Sequence, residues 1–558
     1  MSGDKEKMFW LYSSLQSEEK GHCMGSLNLI LREKNQPFPA NESRGHNNVE
    51  IHESYVNHFV RNSTQHHSTK RGWFSDGEQV LLSVENSVHF ALTRGTVRSA
   101  TENGISVWTK RPLRVPDGGP MECQWRVDRD IRSSLISKMR QNLVDLCGTD
   151  QHARRLRSLI IDMERPEDAN PNEICESQPF QVGGAHHILN KDQIVAFNRI
   201  LSLERDYTLI YGMPGTGKTA VLTLAVCELA KKGKRILLTS FTNSALDNLL
   251  SRIVDSGTAV LRVGNPESVH EKIRPFCLNG SQTSTVTSVD KLRCLIKTSN
   301  VFGCTCYGAL SPLMKQVVRE SLFDVAIVDE STQISIPSVV GPLLCAKAFC
   351  LVGDHNQLPP LVVDKTAARR GMDESLFSKL YNTHPMSAIE MGRQYRMASD
   401  IMDLSNTLVY EGKLSCANKD VAERIIQYRN EYTGPKADIV SINSSVMKFI
   451  MDPLNRVVYV DTSSRSEQAM EQKNGDIICN EFESNLACSI AQEFLNAGIQ
   501  ADEILLLSPL RAQVSMMSQR LNALPLTGIE ALTVDKAQGC DRECVILSMV
   551  RANALQDS

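Results

Sequence analysis

The chain has 558 residues, 41% hydrophobic and 22% charged, with a formal net charge of −3. Its length predicts about three or four domains, its composition is that of a soluble globular protein, and its balanced charge excludes capture of nucleic acid by overall charge, so that such contact must use a local groove. No apolar run reaches the ~18 residues of a membrane span, no signal-peptide core stands in Met1–Lys20, and the 16 cysteines form no C-x-x-C pair, which predicts reduced thiols.

Residues 1–70 read as a polar segment. His46, His52, His58, His66 and His67 are irregularly spaced there, which predicts a solvated loop rather than a metal site. Over 71–175, short β runs (Val80–Leu82, Val88–Leu92, Gly95–Val97, Ile105–Trp108) alternate with turns at Asp76-Gly77, Glu85-Asn86 and Asn103-Gly104. That spacing predicts a small β-barrel, followed by an amphipathic stalk helix at Asp130–Cys147. Residues 165–186 read as a linker. From Asn190 onward, β runs alternate with helices, the pattern of an α/β fold. Tyr207–Tyr211, Arg235–Thr239, Val260–Val263, Val325–Val328 and Ala348–Val352 predict a buried parallel sheet in a domain over 176–385. Arg456–Val460, Ile504–Leu507 and Val545–Ser548 predict a second α/β domain over 386–558, with a polar loop inserted at Ser463–Asp476.

Gly212-Met213-Pro214-Gly215-Thr216-Gly217-Lys218-Thr219 fits G-x-x-x-x-G-K-[ST]. A β run precedes it and a helical pattern, Ala220–Lys232, follows, which is the context of a phosphate-binding loop. Its glycines allow close backbone approach, and backbone N–H groups at a helix N-terminus suit phosphate. Lys218 is expected on the β/γ-phosphates of ATP and Thr219 on Mg2+. Val325–Val328 runs into Asp329 and Glu330. Asp329 suits Mg2+, and Glu330 suits a base that orients the attacking water. Gln357, within Gly353–Pro360, is placed to sense the γ-phosphate, and the two-sided amide of Gln193 to read an adenine edge.

Gln193, the phosphate loop, Asp329-Glu330-Ser331-Thr332-Gln333, Gly353–Pro360, Gln394-Tyr395-Arg396-Met397 and Thr533–Gly539 resemble, in order and spacing, the motifs of superfamily-one helicases. The subgroup is that of the nonsense-mediated-decay RNA helicase and senataxin. Nearly the whole chain resembles the helicase half of the replication helicase/nuclease family that trims Okazaki-fragment flaps and resects broken ends. Cys23–Leu27, Leu238–Asn248, Tyr410–Leu414 and Val534–Arg551 are among the runs that carry this likeness. The resemblance implies two RecA-like P-loop domains after the barrel, the second incomplete. It implies ATP hydrolysis between them and 5′ to 3′ stepping along single-stranded DNA, in the nucleus and also in the mitochondrion. It places Tyr395 near the base, Asp541 near the ribose, and Arg396 on the γ-phosphate, where a planar, permanent cation suits the task. Strand contacts fall on Thr242, Asn243, Ser244, Thr305, Pro509, Arg511 and Thr533, groups suited to gripping phosphates without regard to sequence. Ser244 equally suits a helix cap. A single-strand-binding protein is an implied partner.

The full-length family adds a nuclease and a four-cysteine iron–sulfur cluster, and neither is expected in these residues. Glu18-Glu19-Lys20 and Glu471-Gln472-Lys473 match E-x-K but read as solvated charge runs. The family's last motif, with a second arginine for the γ-phosphate, falls beyond Val550–Asn553. An arginine finger is worth roughly 10³–10⁵ in rate, so MgATP is expected to bind and turn over poorly. An RNA helicase of the same subgroup, and a nucleic-acid-binding scaffold with weak ATPase activity, are the alternatives.

Overall fold

A computed structural model describes residues 26–37, 55–61, 79–84, 93–101, 104–109, 113, 124–129, 133–167, 180–182, 185–187, 189–278, 289–430, 443–462, 469–474, 477–524, 526 and 528–551. They fall into two units. One joins the chain up to Asp162 with Ser335–Gly341 and Pro360–Glu374, and the other holds Met163–Ile334, Pro342–Pro359 and the chain from Ser375.

In the first unit, β1 (Ser26–Pro37), β2 (Tyr55–Arg61), β3 (Gln79–Val84), β4 (Thr93–Thr101), β5 (Gly104–Thr109) and β6 (Gln124–Arg129) close a barrel in the order β1-β2-β5-β4-β3-β6. Alternate residues face inward, Val80 with Leu82, Ile105 with Val107, and Trp125 with Val127. The Trp125 ring meets Phe59 edge-on, with 5.9 Å between centroids. Closure leaves no strand edge exposed. β1 and β2 lie inside the span read as a polar segment, so the barrel takes in residues before its expected start at 71. β2 escaped notice because polar residues interrupt its pattern, and the fold satisfies them individually. Buried Asn57 donates to Thr109 Oγ1 at 3.0 Å, and His58 Nδ1 lies 2.7 Å from Ser106 Oγ. His46, His52, His66, His67, Asp76-Gly77 and the Glu85–Leu92 stretch lie outside the described residues.

The predicted stalk is the helix Ser133–Leu146, followed by a second helix, Gln151–Ile160. Asp150 caps the latter by taking the Ala153 N–H at 2.9 Å, and Arg157 ties it back to the Gly148 carbonyl at 2.7 Å. Buried Asn142 donates to the Pro337 carbonyl at 2.7 Å, which holds the return segment Ser335–Gly341 within this unit.

In the second unit, the predicted linker carries a small antiparallel hairpin of β7 (Phe180–Val182) and β8 (Ala185–His187). Next come β9 (Asp206–Gly212), β10 (Ile236–Ser240), β11 (Val260–Arg262), β12 (Val301–Thr305), β13 (Phe323–Asp329), β14 (Ala346–Gly353) and β15 (Ala388–Met391). They form a parallel seven-stranded sheet, β11-β12-β10-β13-β14-β9-β15. Every residue of β9 and β10 is buried, as a parallel sheet covered on both faces requires. Leu222, Ala225, Val226 and Leu229 of the helix Lys218–Lys231 share a core with Ile210, Leu238, Ile327 and Val352. Each such leucine, isoleucine or valine side chain, fully buried, contributes roughly 1.5–3 kcal/mol. β12 and β15 were not read from the sequence. β15 pairs with β9, so the first sheet extends to Met391, past the expected boundary at 385.

Beyond it lie the short pairs β16 (Arg393–Gln394) with β17 (Ser415–Cys416), and β18 (Gln472–Asn474) with β19 (Ile477–Cys479). A second parallel sheet, β21-β20-β22, is built from β20 (Ile504–Ser508), β21 (Glu530–Thr533) and β22 (Cys544–Leu547). Arg456–Val460, expected as a strand, is not one. Val458 and Val460 pack on the second core while Val457 and Tyr459 face outward, but among the described residues the run pairs with no strand of the sheet β21-β20-β22. Alternation without a ladder partner makes no strand. Of the inserted polar loop, residues 469–474 are described and include β18.

Candidate active site

All strands of the seven-stranded sheet run parallel, so their carboxyl ends share one edge, the place where open α/β sheets bind ligands. Register brings Asp329 of β13 level with Ser240, and Gly353 of β14 level with Tyr211. β9 delivers Gly212 to that edge, and the loop through Met213, Pro214, Gly215, Thr216 and Gly217 turns into the helix Lys218–Lys231. Gly215 and Gly217 have φ of 72° and 83°, a conformation cheap only for glycine. A Cβ on Gly217 would also stand 2.6 Å from Gln193 Nε2. Thr216 Oγ1 donates to the Met213 carbonyl at 2.7 Å, and Lys218 Nζ to the Gly212 carbonyl at 2.6 Å. The first-turn N–H groups of Lys218 and Thr219 have no intrahelical partner, and the helix start carries partial positive charge. These are donors and a cation in search of an anion, which fits a polyphosphate.

Gln193 is buried in the capping box of the helix Lys191–Leu201. It exchanges hydrogen bonds with Asn190 at 3.0 Å in both directions, and its Nε2 donates to the Thr216 carbonyl at 2.9 Å. The amide expected to read adenine therefore braces the phosphate loop, with one N–H and one lone pair left over.

Glu330 follows Asp329 with φ of 50°. Its N–H donates to Asp329 Oδ1 at 3.0 Å, and its carboxylate takes Gln333 Nε2 at 3.3 Å. Burial and then the charge of Glu330 push the Asp329 carboxyl above the ordinary carboxylate range, while Lys218 pulls the other way. A buried carboxylate in that state lacks positive charge. Asp329 and Thr219 fit Mg2+, which when bound supplies that charge and polarises phosphate oxygens.

Past β14, the carboxylate of Asp354 is wholly buried. Its Oδ1 takes the Asn356 N–H at 3.1 Å, and its Oδ2 takes both Gln357 Nε2 at 2.7 Å and the Tyr410 hydroxyl at 2.8 Å. Gln357 Oε1 lies 3.5 Å from Gln538 Nε2. Sequence reasoning picked out Gln357 but neither Asp354 nor Tyr410. Both lie within the motif runs Gly353–Pro360 and Tyr410–Leu414, but their partnership spans 56 positions.

The Tyr395 N–H donates to the Gly215 carbonyl at 2.9 Å, and its hydroxyl takes Asn190 Nδ2 at 2.8 Å. Buried Gln394 closes the turn, its Oε1 taking the N–H groups of Arg396 and Met397, both at 2.7 Å. Arg396 is thereby set against the phosphate loop. Its Nε pairs with Asp541 Oδ2 at 3.2 Å, both side chains being well exposed. Such a pair contributes about 0–1 kcal/mol and gives way readily to a phosphate.

Of the residues expected on nucleic acid, Thr242, Asn243 and Ser244 follow β10, Thr305 ends β12, Pro509 and Arg511 follow β20, and Thr533 ends β21. All lie at carboxyl ends. Thr242, not Ser244, caps the helix Asn243–Asp255, taking the Ala245 N–H at 3.2 Å. Asn243 Oδ1 takes Arg262 Nη2 at 2.7 Å. That guanidinium is itself buried against Asp247 Oδ1 at 2.8 Å, so Asn243 is held by the fold. Thr305 Oγ1 takes the Gly308 N–H at 3.3 Å. Thr533 is buried, and its carbonyl takes the Lys536 and Ala537 N–H groups at 3.0 Å. Thr242, Ser244, Pro509 and Arg511 are exposed. Cys306, between β12 and the Phe241–Tyr307 ring contact, is pushed up to about 12 by burial and is unreactive.

Glu471, expected in a solvated run, is 6% exposed at its side chain and pairs with Arg551 at 3.0 Å. Glu18-Glu19-Lys20 lies outside the described residues. Among the described residues, no group of three or more His, Cys, Asp or Glu is placed to hold a metal ion, and no helix is long and apolar enough to cross a membrane.

Two family models, each described as an AAA domain, match this chain, one at residues 188–295 and 281–365 and the other at 372–558. The DNA replication ATP-dependent helicase/nuclease JHS1 of Arabidopsis thaliana is 36% identical over 486 residues, covering 85% of this chain and 34% of the relative. The DNA replication ATP-dependent helicase/nuclease DNA2 of Xenopus laevis is 33% identical, covering 98% and 50%, and that of Homo sapiens 32%, covering 98% and 49%. The chain thus spans a third to a half of the length of these relatives.

Proposed function

The chain belongs to the family of DNA replication ATP-dependent helicase/nucleases, and on that premise we propose that it is an ATP-dependent helicase module stepping 5′ to 3′ along single-stranded DNA in replication and repair. The observation that carries this is the meeting of Arg396 with Gly215 at the loop that presents Lys218. One carboxylate pair at the end of β13 and one arginine just after β16 then face the same phosphates.

Lys218 and the loop N–H groups hold the β/γ-phosphates of ATP. Asp329 and Thr219 hold Mg2+. Glu330 orients the attacking water and accepts its proton, Gln357 reports whether a γ-phosphate is present, and Arg396 neutralises charge that develops on it. Tyr395, tethered to Asn190, lies where a base would stack. Loss of the γ-phosphate removes the anion that Arg396 faces across Gly215. The second sheet moves with Arg396, so the spacing between Thr242 and Ser244 on one side and Pro509 and Arg511 on the other changes with each turnover. Alternating grip at two such edges moves a strand. The nucleus and the mitochondrion are the compartments this function implies, with a single-strand-binding protein as partner.

The test compares steady-state hydrolysis of MgATP with no nucleic acid, with single-stranded DNA, and with RNA of the same sequence, followed by unwinding of duplexes with 5′ or 3′ tails. Stimulation by DNA and unwinding from 5′ tails are expected. Stimulation by RNA alone would replace the DNA helicase with an RNA helicase, and no hydrolysis under any condition would leave a binding scaffold.

A further inference from the structure

We propose that Tyr410 is a positioning residue for the γ-phosphate sensor, setting the pose of Gln357 through the buried carboxylate that the two side chains share. The inference rests on the ATP-dependent function proposed above. Tyr410 Oη and Gln357 Nε2 donate to the same oxygen, Asp354 Oδ2, at 2.8 and 2.7 Å. Asp354 has no exposed surface, so water does not stand in for either donor. A carboxylate so placed depends on every hydrogen bond it receives, and deleting one donor forces the other to rearrange. The other here is the amide of Gln357, which also lies against the Tyr410 hydroxyl and whose Oε1 makes a long contact of 3.5 Å to Gln538. The phenol is a committed donor, because burial and then the charge of Asp354 raise its pKa far above the ordinary tyrosine value.

Tyr410 is itself fixed by its surroundings. It follows the helix Ser399–Leu408, and Glu411 and Gly412 then take φ of 52° and 78°, a left-handed pair unusual for glutamate. Asn406 locks this turn, exchanging hydrogen bonds with the backbone of Leu414 at 3.1 and 2.9 Å. The same stretch begins with Arg396, so the hydroxyl that orders Gln357 moves with the arginine that reaches the γ-phosphate. The sensor amide is therefore ordered only when the arginine-bearing stretch is seated, which makes recognition of the γ-phosphate a joint property of both.

Titration calorimetry on the 558-residue chain with MgADP and with a non-hydrolysable ATP analogue, for wild type, Tyr410→Phe, Gln357→Ala and the double variant, tests this. Wild type is expected to prefer the triphosphate. Tyr410→Phe should cut that preference about tenfold, the low end for one hydrogen bond to a charged group, and leave ADP affinity unchanged. In the Gln357→Ala background the phenylalanine should add nothing. Asp354→Asn, which keeps the shape and removes the charge, should lose the same preference and serves if Tyr410→Phe does not fold. An intact preference in Tyr410→Phe, a parallel loss of ADP and triphosphate binding, or a full effect without Gln357 would each overturn the inference alone. Failure of wild type to bind either nucleotide would overturn the proposed function, and this inference with it.

Discussion

The Tyr395 N–H donates to the Gly215 carbonyl at 2.9 Å, and a Cβ on Gly215 would stand 2.8 Å from Arg396 Cβ. The apex of the phosphate loop and the arginine-bearing turn thus pack backbone to backbone. Gly215→Ala adds a methyl at that contact and places it at a φ of 72°, a strain of about 1–3 kcal/mol. It should weaken MgATP binding by about fivefold or more and lower the melting temperature modestly. Calorimetry of the variant with MgATP checks this, and wild-type affinity would show the close packing to be incidental.

Binding and hydrolysis should separate at two residues. Lys218→Ala removes the cation on the phosphates and should abolish measurable MgATP binding. Glu330→Gln keeps the shape and removes the base, so affinity should persist while hydrolysis falls by about 10²–10⁴-fold. Binding and single-turnover hydrolysis, measured side by side, decide it. Hydrolysis surviving in Glu330→Gln would move the base elsewhere.

Arg262 and Asp247 are 1% and 2% exposed and bonded at 2.8 Å. Removing one partner leaves the other charge buried. Asp247→Ala is therefore expected to destabilise the fold by about 3–5 kcal/mol, and to release Asn243 and the His270 N–H, which Asp247 Oδ2 takes at 2.9 Å. Urea unfolding reads the loss. A change under ~1 kcal/mol would mean that water reaches the pair.

Asp324 gathers the amino ends of three strands, taking the Arg235 N–H and Lys347 Nζ, both at 2.8 Å. Burial raises its pKa, but these bonds and the charge of Lys347 outweigh it, leaving the pKa below the ordinary 3.8. A depressed carboxylate stabilises the fold above its unfolded pKa and loses that contribution as pH falls through the folded value. Asp324→Asn should therefore melt below wild type at neutral pH, and the gap should close as pH drops below about 4. Paired melting curves from neutral to acid pH test the sign, and a gap that widens in acid would refute it.

Much of the fold was legible because a parallel sheet is hydrophobic on both faces. β9, β10, β13 and β14 are mostly apolar runs, and the glycine loop after β9 has a spacing that little else explains. β2 was not legible, since buried Asn57 looks like a loop residue until Thr109 stands opposite it. Arg456–Val460 misled for the converse reason: alternation shows which side chains face a core but not whether a neighbouring strand is available. In the site, Lys218, Asp329 and Glu330 announce themselves by chemistry. Gln193 was read as facing a base, because a capping box and a base-reading amide use the same residue type.

By itself the sequence determined the chemistry: a loop for phosphates, a carboxylate pair, an arginine in a set order, and two runs of β/α alternation. These depend on residue type and local spacing, which the chain carries wherever it folds. Only the tertiary structure decided partnership. It set Tyr395 on Gly215, gave Asp354 to Tyr410 and Gln357 together, assigned the cap to Thr242 and drew Asn243 to Arg262. Hydrogen bonds form between groups that folding brings within about 3 Å, and no spacing along the chain encodes which distant group that will be.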